Sequence, residues 1–73
     1  MTEGDVIAVT CGGQTVEGVV VLASPNGKSL MLTFDAILDT CMGMMPVLQR
    51  DDGSYINVAT GNPVEVQFAS GKH

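Results

Sequence analysis

Side chains able to do acid–base or covalent chemistry are few in this 73-residue chain. Its one histidine, His73, is the last residue. A general base has to be held in place, and a chain end does not hold one. Cys11 and Cys41 show no CxxC spacing and no internal histidine joins them, so neither a zinc site nor a Cys–His pair is spelled out. Asp35 and Asp39 are four apart, a spacing that puts two carboxylates on one face of a helix, where a pair can do acid–base work. The simpler reading makes Asp35 a helix N-cap and leaves Asp39 solvated. Asp51 and Asp52 read as turn residues. The nine glycines form neither a phosphate-binding loop nor a dinucleotide fingerprint. The expectation is therefore no catalytic residue, no metal and no cofactor.

The methionines carry more promise than the titratable groups. Met42, Met44 and Met45 cluster within four residues, and Met31 stands apart from them. Methionine fills irregular gaps in a core, and it also lines adaptable binding surfaces. The first use would plug the open end of a small barrel. The second would join Met31 to other exposed apolar side chains.

Composition narrows the partners. Net charge is −5, and the three basic residues Lys28, Arg50 and Lys72 are scattered. Nucleic-acid affinity rests on neutralising phosphates, so this balance disfavours nucleic acid, and it disfavours an anionic membrane surface for the same reason. No apolar run is long enough to span a bilayer, and Glu3 and Asp5 follow Met1 where a leader would have basic residues. A cytoplasmic location with two free, structural thiols is expected. At 45% apolar residues, so small a domain has more apolar surface than a thin core can take up, and association is the usual outlet.

The elements are short strands. Val6 to Cys11 is a first strand, turned by Gly12-Gly13. Gln14 to Asp35 is the clearest hairpin, around Ser24-Pro25-Asn26-Gly27-Lys28. A three-residue loop, Pro25-Asn26-Gly27, would put Gly27 in the left-handed region as a G1 bulge. It would pair Ser24 with Lys28, Leu22 with Leu30, Val20 with Leu32 and Gly18 with Phe34. Val16, Val20, Leu22, Leu30, Leu32 and Phe34 would then face the core. Glu17, Val19, Val21, Ala23, Ser29, Met31, Thr33 and Asp35 would face away. Gly18 marks a bend. Ile37, Leu38, Cys41 and Met42 fall at helical spacing, with Gly43 as the stop, which predicts a short helical turn over 36–42. Pro46 suggests that the strand 44–49 starts there or lies at an edge. Tyr55 to Ala59 and Val64 to Phe68 follow as strands. Residues 1–5 and 69–73 are expected to fray. The sum is one domain over 1–73, all-β: a strongly bent SH3-like barrel of five or six strands with one short helical turn, with Sm-like and OB-type barrels next.

Gly4-Asp5-x-Ile7-x-Val9, then Gly13, then Glu17-Gly18-x-Val20, resembles the opening of the KOW motif of SH3-like barrels in ribosomal and transcription proteins. The resemblance covers the first third of the chain and implies the barrel fold. The family's nucleic-acid role would imply basic residues in the first loop, and Cys11-Gly12-Gly13-Gln14 has none.

The functional expectation is a non-enzymatic protein-interaction or adaptor module that self-associates, first as a dimer, through the outer face of the central hairpin. The candidate interface is Val19, Val21, Ala23, Met31, Met42 and Met44. A further protein partner fits the same face. The alternative is an Sm-like or KOW-like barrel that binds nucleic acid or a ligand, and a third class is a small enzyme whose site forms only at an oligomer axis.

Overall fold

The computed structural model describes residues 1–69. His73 and most of the tail expected to fray lie outside them. Six strands run β1 (Val6–Cys11), β2 (Gln14–Ala23), β3 (Ser29–Leu38), β4 (Cys41–Gln49), β5 (Tyr55–Asn57) and β6 (Pro63–Phe68). Each pairs antiparallel with the next, and β6 returns to β1, so the sheet closes into a barrel. Closure leaves no open sheet edge. The inner positions alternate as a half-buried sheet requires: Ile7 and Val9, then Val20, then Leu30, Leu32 and Phe34, then Met45 and Val47, then Val64 and Val66. The expected small all-β barrel is what the chain forms.

The central hairpin begins in the expected register, with Gly18 opposite Phe34 and Val20 opposite Leu32. It then departs from it. Val21 is an extra residue in β2, so Leu22 meets Met31 and Ala23 meets Leu30. One inserted residue exchanges the two faces beyond it. Leu22, expected in the core, is 60% exposed, and Ala23, expected outside, packs against the core. The loop has four residues instead of three, because the Ser24 N–H bonds the Ser29 carbonyl at 2.9 Å. Asn26 Oδ1 accepts the Ser24 hydroxyl at 2.6 Å and the Lys28 N–H at 3.0 Å, which organises the turn.

Gly27 has φ +73° in that loop. A β-branched side chain is an outlier there. Gly27→Val is expected to lower stability by about 1 kcal/mol or more, read as a lower urea midpoint at unchanged slope.

The helical turn over 36–42 does not form. The described residues contain no helix, and the segment is the tip of the β3–β4 hairpin. Leu38 pairs with Cys41, leaving Asp39 (φ 49°) and Thr40 (φ 64°) as a two-residue turn with both central residues left-handed, as in a type I′ hairpin. Asp35 is accordingly an exposed strand residue and caps nothing. Gly43 does take a positive φ, 81°, but inside β4, where the β3–β4 register shifts between Thr33 and Ile37. Pro46 also lies within β4, between two partner strands, and not at an edge. Its carbonyl accepts the Val58 N–H just after β5 ends. Phe68, which shares the alternation of the buried Val64 and Val66, is nonetheless exposed at the end of β6.

Residues 1–5 are fastened and not frayed. Thr2 donates its N–H to Asp5 Oδ2, Gly4 bonds the Val20 carbonyl at 2.7 Å, and Met1 packs against the core.

Candidate interaction face

The outer face of the barrel is built by the same pleat that fills the core. Strands β2, β3 and β4 turn Val19, Met31, Thr33, Met44, Pro46 and Leu48 outward by alternation with the inward residues, and the extra residue Val21 turns Leu22 outward as well. Register places these side chains in rows across the strands. Val6 is opposite Val19, Val19 opposite Thr33 and Thr33 opposite Met44. Leu22 is opposite Met31 and Met31 opposite Pro46. Val58 follows at the Pro46 carbonyl. The second row lines an open, largely apolar groove of about 540 Å³, bounded by Ser24 and Ser29 and flanked by Leu48.

Of the candidate interface residues, Val19, Val21, Met31 and Met44 lie on this face, with Val19 and Val21 each 37% exposed. Ala23 does not, since the bulge turns it inward. Met42 is the most exposed large apolar side chain described, at 78%, but it sits at the hairpin tip, opposite Ile37. The methionine cluster divides by alternation: Met45 is fully buried, Met42 and Met44 are not. Sequence reasoning missed Leu22, Leu48, Val58 and Ile37. Leu48 and Ile37 were accessible to it through period-2 alternation across 29–38 and 41–49. Leu22 and Val58 had no such signal.

A polar cluster joins the β3–β4 turn to the segment that follows β5. Asn57 is fully buried. Its Nδ2 donates to Asp39 Oδ2 at 2.9 Å and to Cys41 Sγ at 3.3 Å, and its Oδ1 accepts the Ala59 N–H at 2.9 Å. Asp39 also accepts the Thr60 hydroxyl at 2.6 Å and the Asn62 amide at 2.9 Å. These donors, Thr60 first, hold the Asp39 carboxyl below the usual carboxylate range. Asp39 was expected to be merely solvated. It is instead the fastener between the β3–β4 turn and the β5–β6 connection. Asp35, exposed on β3, takes no part in this cluster, so the two carboxylates do not pair.

Cys11 donates to the Pro63 carbonyl at 3.6 Å, and both cysteines are unbridged. Burial pushes the Cys11 thiol up, and the charge of Asp39 adds to that. The thiolate is the reactive form, so a shift in this direction lowers the reactive fraction of Cys11. Among the described residues, no three His, Cys, Asp or Glu side chains are grouped as a metal would need. No helix among them is long and apolar enough to cross a membrane.

No family model, curated protein or solved structure matches the chain.

Proposed function

We propose that this protein is a small, non-enzymatic interaction module of the cytoplasm that self-associates through the outer face of β2, β3 and β4, a second copy being what covers it. The supporting observation is the continuous row Leu22–Met31–Pro46–Val58, four apolar side chains abreast on four successive segments of a barrel that is already complete. An exposed patch of that kind usually marks an interface. Ser24 and Ser29 at one border, and Glu17 and Asp35 at another, supply the polar rim such a surface has. The two unbridged thiols fit a reducing compartment. A pair of copies related by a two-fold axis is the simplest closed assembly.

Light scattering over a range of concentrations is expected to give the mass of two chains, falling towards one on dilution. Leu22→Glu, on a side chain that is 60% exposed, should give single folded chains at concentrations where the unmodified protein is paired. Each copy carries −5, so association should tighten as salt is added. A single-chain mass at every concentration would remove this reading.

A further inference from the structure

The ring of strands is closed, yet one ladder in it has a gap. β4 runs from Cys41 to Gln49, and β5 pairs with only three residues of it, Val47, Leu48 and Gln49. One further bond, from the Val58 N–H to the Pro46 carbonyl, ends the pairing on that side. From Cys41 to Met45 the same side of β4 meets no backbone partner among the described residues. Along a strand in an antiparallel ladder, successive residues aim their N–H and C=O at opposite neighbours. The Pro46 carbonyl points to the β5 side, and the pairing with β3 is unbroken from Met44 to Leu48. Met44 therefore turns its N–H and C=O into the gap, while Met45 turns its own to β3. Leu38 and Cys41 face each other across the two-residue turn, so the next residue along, Met42, also turns its backbone groups into the gap.

The chain after β5 leaves these groups unmet. The Ala59 N–H is held by Asn57 Oδ1, the Thr60 and Gly61 N–H groups by the Asn57 carbonyl, and the Asn62 N–H by the Thr60 hydroxyl. Residues 58–62 thus fold on themselves instead of continuing beside β4. We propose that the gap beside Met42 to Met45 takes an extended segment of another protein as an added strand, paired through main-chain hydrogen bonds to Met42 and Met44. This contact is made by the backbone of β4, not by the outer face of β2, β3 and β4, and it does not require two copies to pair.

The chemistry of the gap selects this occupant. A donor and an acceptor recur on every second residue, the spacing that another strand matches. A helix has its own backbone groups already bonded and cannot answer them. The side chains at the border, Met42, Met44 and Val58, are 78%, 52% and 56% exposed, so the residues of the segment that lie beside them are apolar. Asp35 is exposed on β3 between Thr33 and Ile37, the partners of Met44 and Met42, and the chain carries −5. Basic flanks on the segment therefore suit the site and acidic ones do not. Pro46 sets the limit of the added strand, because it has no N–H and its carbonyl is taken by Val58.

The test is amide hydrogen exchange followed by NMR on the full chain, with the end-blocked peptide Lys-Val-Thr-Val-Thr-Val-Lys as probe. In the protein alone the Met42 and Met44 amides should exchange fast and the Met45 amide, bonded to β3, slowly. The peptide is expected to slow Met42 and Met44 at least on the order of tenfold and to leave Met45 as it was. Two N-methylated forms of the peptide, one at the valines and one at the threonines, each lack the N–H groups of one edge. One should protect as the parent does and the other should not. Met44→Pro removes a donor from the gap without costing a bond to β3, and should weaken the parent peptide on the order of tenfold. Circular dichroism checks that variant, and the methylated peptides decide the matter if it does not fold. A Met44 amide as slow as that of Met45 in the protein alone would mean that the gap is already filled, and the proposal falls. It falls equally if both methylated peptides protect as well as the parent, or if the parent gives no protection at a concentration on the order of 1 mM. None of these results bears on pairing through the outer face, which light scattering reads separately.

Discussion

Gly18→Ala is expected to destabilise the barrel by about 2 kcal/mol, the range of an overpacked core site, although alanine is the smallest possible change. Gly18 lies opposite Phe34 on one side and Ile7 on the other. A Cβ at this position would run into the Thr33 carbonyl oxygen and stand 3.3 Å from Phe34 Cβ. The obstacle is backbone, which no rotamer change can clear, so β2 would have to move away from β3. The measurement is a urea or thermal melt of both proteins. An unchanged midpoint would mean that the strands do not approach each other in this way. The effect should be larger than that of Gly27→Val, whose loop can relax into solvent.

Asn57→Ala should cost about 2–3 kcal/mol, combining lost volume with a stranded hydrogen-bonding group. Asn57 is fully buried and serves three partners. Without it the Ala59 N–H loses its acceptor, and Asp39 loses one of the donors that hold its turn. That turn needs holding: Thr40, a β-branched residue, sits at φ 64°. Such strain persists only where the surroundings over-determine it.

The same cluster sets an acid limit. Asp39 has its pKa lowered in the folded protein, chiefly by the Thr60 hydroxyl, and Asp52 has its own lowered by Ser54. A carboxylate with a depressed folded pKa stabilises fully above its unfolded value, about 3.9, and that contribution is lost as pH falls through the folded value. Melts from neutral to acid pH should show stability falling below about pH 4. Asn57→Ala should narrow the part of that fall which belongs to Asp39. A fall of equal size in both proteins would show that Asn57 does not act through this carboxylate.

The barrel was legible in the chain because its signals are local. Alternation of apolar residues over Val64 to Val66 and over Leu30 to Phe34, with glycine-marked turns between, leaves few other folds for so short a chain. The helical turn over 36–42 was misjudged because Ile37, Leu38, Cys41 and Met42 satisfy a helical period while Leu30, Leu32, Phe34, Ala36 and Leu38 satisfy a strand period. The turn that decides between them, Asp39-Thr40, lacks the glycine that would announce it. Its geometry is secured instead by Asn57, Thr60 and Asn62, far along the chain, and no local pattern carries that information. The candidate face was half legible. Val19, Val21 and Met31 follow from alternation in the hairpin, and Met44 from the methionine cluster. The exchange of Ala23 for Leu22 follows from one inserted residue at Val21, and a run of valines and leucine gives no hint of where an insertion falls.

The seam between β1 and β6 governs when this protein can become itself. β1 has its second neighbour only in β6, from Ile7 with Phe68 to Thr10 with Glu65. Pairings so distant come late, since the loop must close before any contact rewards it. During synthesis β1, β2 and β3 can form a meander while the last strand is still being made, and until then one side of β1 is an unpaired row of amides and carbonyls. Such an edge is a template for another chain. The unpaired edge of β1 therefore lasts until β6 has been made and has docked, and wrong pairing through that edge is confined to this interval.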